Sequence, residues 1–312
     1  MRVLFYVSGH GYGHATRVTA VMNALRERRA DVRLYVRTEA PVWVFRTSVA
    51  GPVCYEKVRL DAGMIERDLL AQDPRSTLHR CREVYSTAGD LLRGERTFVE
   101  QERIDCIVSD IPPLGSAVGR EAGVPVVALG NFSWDYIYAP FTSEFPDFAP
   151  VIRQIRECYA STDLLLRLPW CHEMDAFPRR VDIPLVTRRP ITSRQETRAE
   201  LAAAGVNLRR PLILLGGRFP GVGAGALEPV LRSRKYTLLA FGDFGVPESA
   251  EFVRLPEAWQ PRFLDVLQAA DAVVSKIGYG IAAECVSCRT PILYPPRENF
   301  AEHHIVEAGL AK

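Results

Sequence analysis

A glycine-rich segment with two histidines, SGHGYGHATR at 8–17, follows the first apolar run of the chain and leads into a helical pattern. Glycines such as Gly11 and Gly13 allow left-handed backbone and a close approach of a ligand to the main chain. The helix start beyond them offers free N–H groups and about half a positive charge, which suits a phosphate. The segment therefore predicts a phosphate-binding turn, with a tight turn that binds nothing as the alternative.

The same segment is a poor match to a dinucleotide fingerprint. Gly9 and Gly11 fit the first two positions of Gly-x-Gly-x-x-Gly, but His14 stands at the third. Glu39, near the end of the second apolar run, is the acidic residue that keeps a nicotinamide site open. The glycine spacing nevertheless argues against an oxidoreductase.

His14 opens the helical pattern, and its position predicts a general base. A helix N-terminus disfavours a cation, so an imidazole there is expected to be neutral, as a base must be. A histidine that only caps the helix is the alternative. A metal site on His10 and His14 is not expected, because no third ligand is spaced nearby.

Asp110 directly follows the apolar run 106–109, at the carboxyl end of another predicted strand. The carboxyl ends of parallel strands meet at one edge of a sheet, so this carboxylate can accept a hydrogen bond from His14. Such a bond would fix the tautomer of the base. A capping or turn aspartate before Pro112-Pro113 is the alternative.

The second half of the chain carries two further glycine turns. Gly216-Gly217-Arg218 follows an apolar run, and a glycine pair there can bring backbone N–H groups to a phosphate. The segment KIGYG at 276–280 leads into another helical pattern and suits a diphosphate at the helix start. Its residues predicted to bind are Lys276, Gly278 and Gly280.

Glu284 stands about a turn and a half into that helix, where a carboxylate can accept hydrogen bonds from a ribose diol. A solvated glutamate favoured by the helix dipole is the alternative. An aromatic cluster suits either a sugar or acceptor pocket or packing at a domain interface. Its members are Phe132, Trp134, Tyr136 and Tyr138.

These residues need a scaffold that brings strand ends together, and the apolar pattern supplies one. Apolar runs alternate with helical patterns almost throughout, which predicts parallel sheets covered by helices on both faces. The predicted strands are 3–8, 32–36, 106–108, 124–129, 212–215, 236–241, 252–255, 272–275 and 291–294. The predicted helices are 14–28, most of 61–102, 115–122, 260–270, 279–286 and 300–308.

The fold class predicted from this pattern is α/β, with two Rossmann-like, doubly wound domains whose strand ends face a ligand cleft. A length of 312 residues agrees with about two domains. The first domain is predicted at 1–166 and the second at 194–312. Residues 167–193, rich in proline and without periodicity, are predicted as the crossover between them.

The composition excludes several classes of partner. The net charge is +2, from 39 basic and 37 acidic residues, which is too balanced for nucleic acid or an anionic membrane as the main partner. No apolar run reaches the roughly 18 residues of a transmembrane helix. Seven cysteines, an odd number, agree with reduced thiols, and we expect a cytoplasmic protein.

Six segments together resemble the GT-B glycosyltransferases, in particular the UDP-glycosyltransferases and the related glycosyltransferase family 28. Within that superfamily the chain is similar to the glycosyltransferase-like N-terminal region of the L-arabinokinases and to its stand-alone bacterial relatives. The likeness covers essentially the whole chain, and its long matches at 131–139 and 276–284 are specific. The segments are SGHGYGHATR (8–17), VSDIPP (108–113), NFSWDYIYA (131–139), LRLP (166–169), DIPLVTRR (182–189) and KIGYGIAAE (276–284).

The resemblance implies roles for the residues at matching positions. His14 is then the acceptor base, and Asp110 orients it. The second domain binds the nucleotide sugar, with Gly278 and Gly280 near the diphosphate and Glu284 on the ribose. The kinase half of the L-arabinokinases has no counterpart here, so sugar-kinase activity is not implied.

Glu302 falls near a position where UDP-glycosyltransferases often place a glutamine on the sugar, so the choice of sugar stays open. Chains of the GT-B type usually continue into helices that return to the first domain. The resemblance therefore implies that the C-terminal end is truncated.

The residues and the resemblance together predict an inverting, metal-independent hexosyltransferase that moves a sugar from a nucleotide-diphosphate sugar, a UDP-sugar by the resemblance, to a hydroxyl acceptor. We expect no cofactor, because the nucleotide sugar is a co-substrate. A lipid acceptor would bring the protein to a membrane surface. A nucleotide-sugar epimerase on the same fold and a regulatory module that binds a nucleotide sugar without turnover are the alternatives.

Overall fold

The structure is a computed structural model in which the chain divides into two compact units. Unit 1 comprises Met1–Glu66, Gln72–Val186 and Asn299–Lys312, and unit 2 comprises Arg67–Ala71 and Thr187–Glu298. The residues that the structure describes are 1–67, 71–217, 224–297 and 300–311. Arg218, predicted beside the second glycine pair, lies outside the described residues.

Unit 1 is built on a seven-stranded sheet in which all paired strands run parallel. The strands are β1 (Arg2–Val7), β2 (Arg33–Arg37), β3 (Cys54–Glu56), β4 (Cys106–Asp110), β5 (Val126–Gly130), β6 (Leu164–Arg167) and β7 (Arg180–Asp182). Their order across the sheet is β3-β2-β1-β4-β5-β6-β7. The strand order therefore reverses between β1 and β4, which is where open α/β sheets bind ligands.

Helices cover both faces of this sheet. They are α1 (Gly13–Arg28), α2 (Val42–Ser48), α3 (Pro74–Ser86), α4 (Ala88–Gln101), α5 (Pro113–Ala122), α6 (Trp134–Tyr138) and α7 (Phe148–Tyr159), with a 3-10 turn at Ala139–Ser143. Successive side chains of a strand point to opposite faces. Phe5 of β1 accordingly packs in the core on the α1 and α2 side, whereas Leu4 and Tyr6 pack in the core formed with α4, α5 and α7.

Unit 2 repeats the plan on a five-stranded parallel sheet. Its strands are β8 (Leu212–Leu215), β9 (Thr237–Ala240), β10 (Phe252–Arg254), β11 (Ala272–Val274) and β12 (Ile292–Leu293). Its helices are α8 (Arg194–Ala203), α9 (Ala224–Ser233), α10 (Phe263–Ala269), which follows a 3-10 turn at Glu257–Arg262, and α11 (Tyr279–Cys288). The order β10-β9-β8-β11-β12 places the switch point between β8 and β11.

The two parallel sheets with helices on both faces confirm the predicted fold class, and all nine predicted strands are present. Three strands escaped prediction, namely β3, β6 and β7. β7 lies inside 167–193, which was predicted to be an irregular crossover. It was missed because an exposed edge strand of sequence RVD has no apolar pattern to detect. The helices predicted within 61–102 begin only at Pro74.

The last helix, α12 (Ala301–Leu310), belongs to unit 1, although residues 194–312 were predicted to form one domain. Phe300, just before it, joins the apolar core that unit 1 builds with α5 and α7. In the described part of the chain, no helix is both long and apolar enough to cross a membrane.

Candidate active site

The glycine-rich turn joins β1 to α1 at the carboxyl edge of the unit 1 sheet. Gly11 has a φ of 70°, in the left-handed region that favours glycine. A Cβ on Gly9 would lie 2.8 Å from the Cβ of Glu39, so this position needs glycine for close packing. The residues Gly11 and Gly13 are exposed. Two glycines of the turn are therefore required by its conformation or packing, and the main chain at Gly11 and Gly13 is accessible to a ligand.

His14 and Asp110 meet at the switch point of this sheet. Asp110 ends β4 beside Val7 of β1, and α1 begins one residue before His14. Nδ1 of His14 lies 2.8 Å from Oδ1 of Asp110, and the two residues are 7% and 0% exposed. A carboxylate only accepts, so Nδ1 carries a proton, and in the neutral ring the lone pair is then on Nε2. That is the tautomer a general base requires, with its basic nitrogen pointing away from Asp110.

Neither His14 nor Asp110 is a helix-capping residue, which was the alternative for each. Tyr12 occupies the N-cap position of α1, and the His14 ring bonds to Asp110. α5 begins at Pro113, and Pro112 is its N-cap residue. The structure thus brings together the two residues that were predicted as base and orienting group.

Arg17, one turn after His14 on α1, is the member of this group that the motif patterns missed. Its Nε donates to Oδ2 of Asp110 at 2.8 Å, and its Nη2 donates to Oδ1 at 2.6 Å. The same Nη2 lies 3.2 Å from Nδ1 of His14. Residues three apart share one face of a helix, and this spacing is the signal that identifies Arg17 from sequence.

Asp110 remains charged although it is fully buried. Burial by itself would raise the pKa of Asp110, but the charge and hydrogen bonds of Arg17, together with the bond from His14, outweigh burial and hold that pKa below its ordinary value. The guanidinium is charged at all pH values of interest. The carboxylate of Asp110 therefore interacts both with the imidazole of His14 and with the guanidinium of Arg17.

Hydrogen bonds continue from Arg17 to the last helix. Nη1 of Arg17 donates to Oδ1 of Asn131 at 3.1 Å, and Nδ2 of Asn131 donates to Oε1 of Glu302 at 2.8 Å. Asn131 follows β5, the neighbour of β4, and Glu302 lies in the first turn of α12. All three side chains are buried. Glu302, predicted to act on the sugar, is thus linked to His14 inside unit 1, and its contact with a sugar stays a prediction.

Three of the four residues of the predicted aromatic cluster are buried, and Phe132 among them packs against His14. The Phe132 ring meets the His14 ring edge-on at 5.5 Å, and the Trp134 ring meets Phe132 at 5.1 Å. Phe132, Trp134 and Tyr138 are all buried. Nε1 of Trp134 donates to Oδ2 of Asp61 at 3.0 Å, and burial raises the pKa of that carboxyl. This packing fixes the place of the imidazole.

The two glycine turns of unit 2 also lie at one sheet edge. Leu215 and Val274 are partners across β8 and β11, and the backbone N–H of Gly216 donates to the Val274 carbonyl at 2.8 Å. A Cβ on Gly216 would lie 2.8 Å from Cγ1 of Val273, whereas one on Gly217 would meet nothing within 4 Å. Gly216 is therefore needed for packing, and Gly217 is open to a ligand.

The segment 276–280 runs from β11 into α11. Gly278 is the N-cap residue of this ten-residue helix and has an extended backbone, with φ −145° and ψ 162°. Gly280 lies in the first turn, and Lys276 is half-buried in the preceding loop. The start of α11 thus stands at the switch point of the unit 2 sheet, where its first N–H groups can face an anion.

Glu284, predicted to bind a ribose, forms a buried ion pair with Arg188. Nε and Nη2 of Arg188 lie 2.8 and 2.7 Å from the same oxygen, Oε1 of Glu284. Burial raises the pKa of Glu284, and the charge and hydrogen bond of Arg188 oppose that rise. Because Arg188 uses one carboxylate oxygen, the second is left for other donors. Arg188 belongs to the segment 182–189 and was not among the predicted site residues.

Comparison with known proteins gives a consistent fold. A UDP-glucose:anthocyanidin 3-O-glucosyltransferase in complex with UDP aligns with a TM-score of 0.64 and 11% identity, over 100% of this chain and 83% of that one. UGT2 of Phytolacca americana, complexed with UDP-2-fluoro-glucose and pterostilbene, aligns at 0.60 and 12%, over 98% and 82%. MurG of Acinetobacter baumannii aligns at 0.52 and 11%, over 99% and 82%. The chain has the GT-B fold.

This GT-B chain also has a relative among curated sequences. It is 34% identical to the L-arabinokinase of Arabidopsis thaliana over 303 residues, which cover 96% of this chain. The match spans only 28% of the length of that protein. No protein-family model matches the chain. The described residues contain no group of three or more His, Cys, Asp or Glu side chains placed to hold a metal ion.

Proposed function

We propose that this GT-B chain is a glycosyltransferase that moves a sugar from a nucleotide-diphosphate sugar to a hydroxyl acceptor with inversion. The observation that carries the proposal is the 2.8 Å contact between His14 and Asp110 at the switch point of the unit 1 sheet. It leaves Nε2 as a basic nitrogen in a neutral ring. The fold neighbours solved with UDP or UDP-2-fluoro-glucose support a UDP-sugar as the donor.

In this proposal His14 acts directly on the acceptor. Nε2 takes the hydroxyl proton while the acceptor oxygen forms a bond to the anomeric carbon. The bond from that carbon to the diphosphate oxygen breaks, and its electron pair leaves with the diphosphate. Attack opposite the leaving group inverts the anomeric configuration. Asp110 keeps Nδ1 protonated and so directs Nε2 at the hydroxyl.

Unit 2 supplies the donor side of the proposal. Negative charge develops on the departing diphosphate, and preorganised N–H groups stabilise such charge at no cost of reorganisation during the reaction. The start of α11 at Gly278 and Gly280, Lys276, and the turn at Gly216-Gly217 are the groups proposed for this role. The free oxygen of Glu284 is proposed to accept from a ribose hydroxyl.

One observation favours a second candidate, a module that binds a nucleotide sugar without turnover. Arg17 partly neutralises the charge of Asp110, and its guanidinium lies 3.2 Å from Nδ1 of His14. Both effects disfavour the imidazolium that a general base must form. Binding without transfer is the outcome that would select this candidate.

A thermal-shift screen against nucleotide sugars tests donor binding. A ligand that binds only the folded state raises its stability by about 2.7 kcal/mol at a hundredfold excess over Kd. We expect a UDP-sugar to raise Tm and nicotinamide dinucleotides to leave it unchanged. A panel without any response would contradict the proposal and its second candidate alike.

The base assignment is tested with His14→Ala and the donor found in the screen. Loss of a general base lowers kcat by about 10²–10⁴-fold, while the donor-induced rise in Tm should remain. His79→Ala is the matched control, because His79 is an exposed histidine of the same unit, on α3. Unchanged transfer in His14→Ala would remove the assignment. Conversion of the donor without an acceptor would instead indicate an epimerase.

A further inference from the structure

A row of buried polar side chains connects the His14 ring to the last helix of the chain. His14 contacts Asp110, Asp110 binds Arg17, Arg17 donates to Asn131, and Asn131 donates to Glu302. The formal charges alternate along this row, with Asp110 and Glu302 negative, Arg17 positive and Asn131 neutral. All five residues are buried, so solvent screens their mutual interactions only weakly.

The charge of this row decides how easily His14 accepts a proton. With Asp110 alone, protonation would turn a buried negative pair into a neutral one, which is favourable. Arg17 cancels that charge, so protonation would leave a net positive charge among the three groups. Glu302 adds a negative charge at the far end and partly restores the balance. Arg17 and Glu302 therefore act on the ring with opposite sign.

We propose that Arg17 and Glu302 are positioning residues that together set the pH at which His14 takes up its proton, Arg17 lowering that pH and Glu302 raising it. The inference rests on the proposed function, since the basicity of His14 matters for an acceptor hydroxyl. Arg17 has this effect because it holds both oxygens of Asp110 and lies 3.2 Å from Nδ1 of the ring.

The orientation of the Asn131 amide is set by its two hydrogen-bond partners. Its amide oxygen accepts from Arg17 and its amide nitrogen donates to Glu302, so both ends of one side chain are engaged. An amide rotated by half a turn would set its NH₂ group against the guanidinium, which has no acceptor. The neutral link thus keeps Glu302 one residue away from Arg17, in a fixed place. The last helix acts on the base by this route.

Other groups around His14 stay unchanged in the test. Asp61, in the loop after β3, is buried and close enough for its charge to interact with that of His14. Phe132, which meets the ring edge-on, carries no charge. The other charged groups described above are Asp110 on β4, Arg17 on α1 and Glu302 on α12.

The experiment follows the His14 ring in the full chain without substrate. The protein is labelled at the Cε1 position of its histidines, and the six ring signals are titrated by NMR, with a His14 variant for assignment. Arg17→Met should move the titration midpoint of the His14 and Asp110 pair upward by about one pH unit or more. Arg17→Lys, which keeps the charge, should stay much closer to the parent protein.

Glu302→Gln is the decisive variant because it keeps the acceptor oxygen for Asn131 and removes only the charge. It should move the midpoint downward by roughly a few tenths of a pH unit, since the effect of a charge falls with distance. Arg28→Met is the matched control, an exposed arginine on α1 that lies about 21 Å along the helix from His14 at 1.5 Å per residue. It should leave the midpoint unchanged.

The outcomes separate this inference from the proposed function. No shift, or shifts of the same sign in Arg17→Met and Glu302→Gln, would overturn the inference even if the protein transfers sugar. An upward shift in Arg17→Met together with a downward shift in Glu302→Gln would support it even if no transfer is found, and the reverse pair of shifts would overturn it. If Arg17→Met does not fold, Glu302→Gln still decides, because an unmoved or raised midpoint there refutes the role of Glu302 and with it the row.

Discussion

His172 is a second imidazole of unit 1, and both of its ring nitrogens take part in hydrogen bonds. Its ring stacks on Tyr136 with centroids 3.9 Å apart, and its Nδ1 accepts from the backbone N–H of Met174 at 3.1 Å. Nε2 therefore carries the ring proton and donates to Oγ of Ser133 at 3.1 Å. Ser133 and His172 have the composition of a nucleophile and its base. However, Nε2 of His172 donates a proton to Ser133 and does not accept one, and Ser133 is fully buried.

The pH dependence of stability should report on His172. Burial lowers its pKa from 6.5 to about 4 in the folded protein. As pH falls from 6.5 toward 4, the unfolded chain takes up a proton that the folded ring refuses, so stability falls. Because the ring is partly exposed, we expect a loss of roughly 1–2 kcal/mol. Urea unfolding at several pH values in this range measures it.

The variant for this prediction is His172→Asn, whose side-chain oxygen can still accept from Met174. Its stability should fall less steeply between pH 6.5 and 4 than that of the parent, whatever its stability at neutral pH. His79→Asn, at an exposed histidine, should keep the parent slope. Parallel curves for the parent and His172→Asn would contradict the assignment.

Among the elements, α12 packs closely against the rest of unit 1. Gly309 of this helix faces the indole of Trp170, and a Cβ at that position would lie only 1.9 Å from Cδ1 of the ring. Glycine inside a helix costs about 1 kcal/mol relative to alanine. Here the close approach of Trp170 and the bond from Asn131 to Glu302 hold the helix against unit 1.

Gly309→Ala should therefore destabilise the protein despite the better helix propensity of alanine. Overpacking of this kind costs about 1–3 kcal/mol, because the ring or the helix must move. Gly94→Ala is the matched control, a glycine inside α4 whose added Cβ would meet nothing within 4 Å. It should raise the free energy of unfolding by about 0.5–1 kcal/mol. Chemical denaturation of the two variants would refute this account if both changed stability in the same direction.

At the scale of the whole molecule, the proposed tasks are divided between the two units. The proposed base, His14, lies at the switch point of the seven-stranded sheet, and the glycine turns of 216–217 and 276–280 lie at that of the five-stranded sheet. Each unit builds its part from its own strand ends and its own buried ion pair. Substitutions in one unit should therefore leave the task of the other intact.

Glu284→Gln tests this division with UDP and 2′-deoxy-UDP as ligands. A hydrogen bond to a charged group contributes about 1.5–3 kcal/mol, so the parent should prefer UDP by roughly tenfold or more and the variant should lose most of that preference. Calorimetry measures both affinities. His14→Ala should keep the preference. An undiminished preference in Glu284→Gln would place the ribose elsewhere.

Arg188→Met adds a pH readout to the same experiment. Burial raises the pKa of Glu284, and the loss of the Arg188 cation should raise it further. The ribose needs the carboxylate form, so the preference for UDP should disappear at a higher pH in this variant than in the parent as the solution is acidified. Arg188→Lys, which keeps the charge, should behave more like the parent.

Local pattern in the amino-acid sequence was enough to predict most strands and the positions that follow them. Apolar runs marked nine of the twelve strands found among the described residues, because a strand buried on both faces needs an unbroken apolar stretch. The same rule placed Asp110 at the end of one strand and His14 at the start of the helix that follows another, and parallel sheets collect such positions along one edge. The short strands β3 and β7, which are polar, left no such trace.

Which strand ends are neighbours, and which groups bind the buried charges, depends on contacts between residues far apart in sequence. The partners Arg17 and Asn131 lie 114 positions apart in sequence, and Asn131 and Glu302 lie 171 apart. Local periodicity reports which face of an element is apolar, but a buried charge takes whichever partner the packing brings within hydrogen-bond distance. The attachment of α12 to unit 1, and the charge balance around His14, depend on that packing and not on any local pattern.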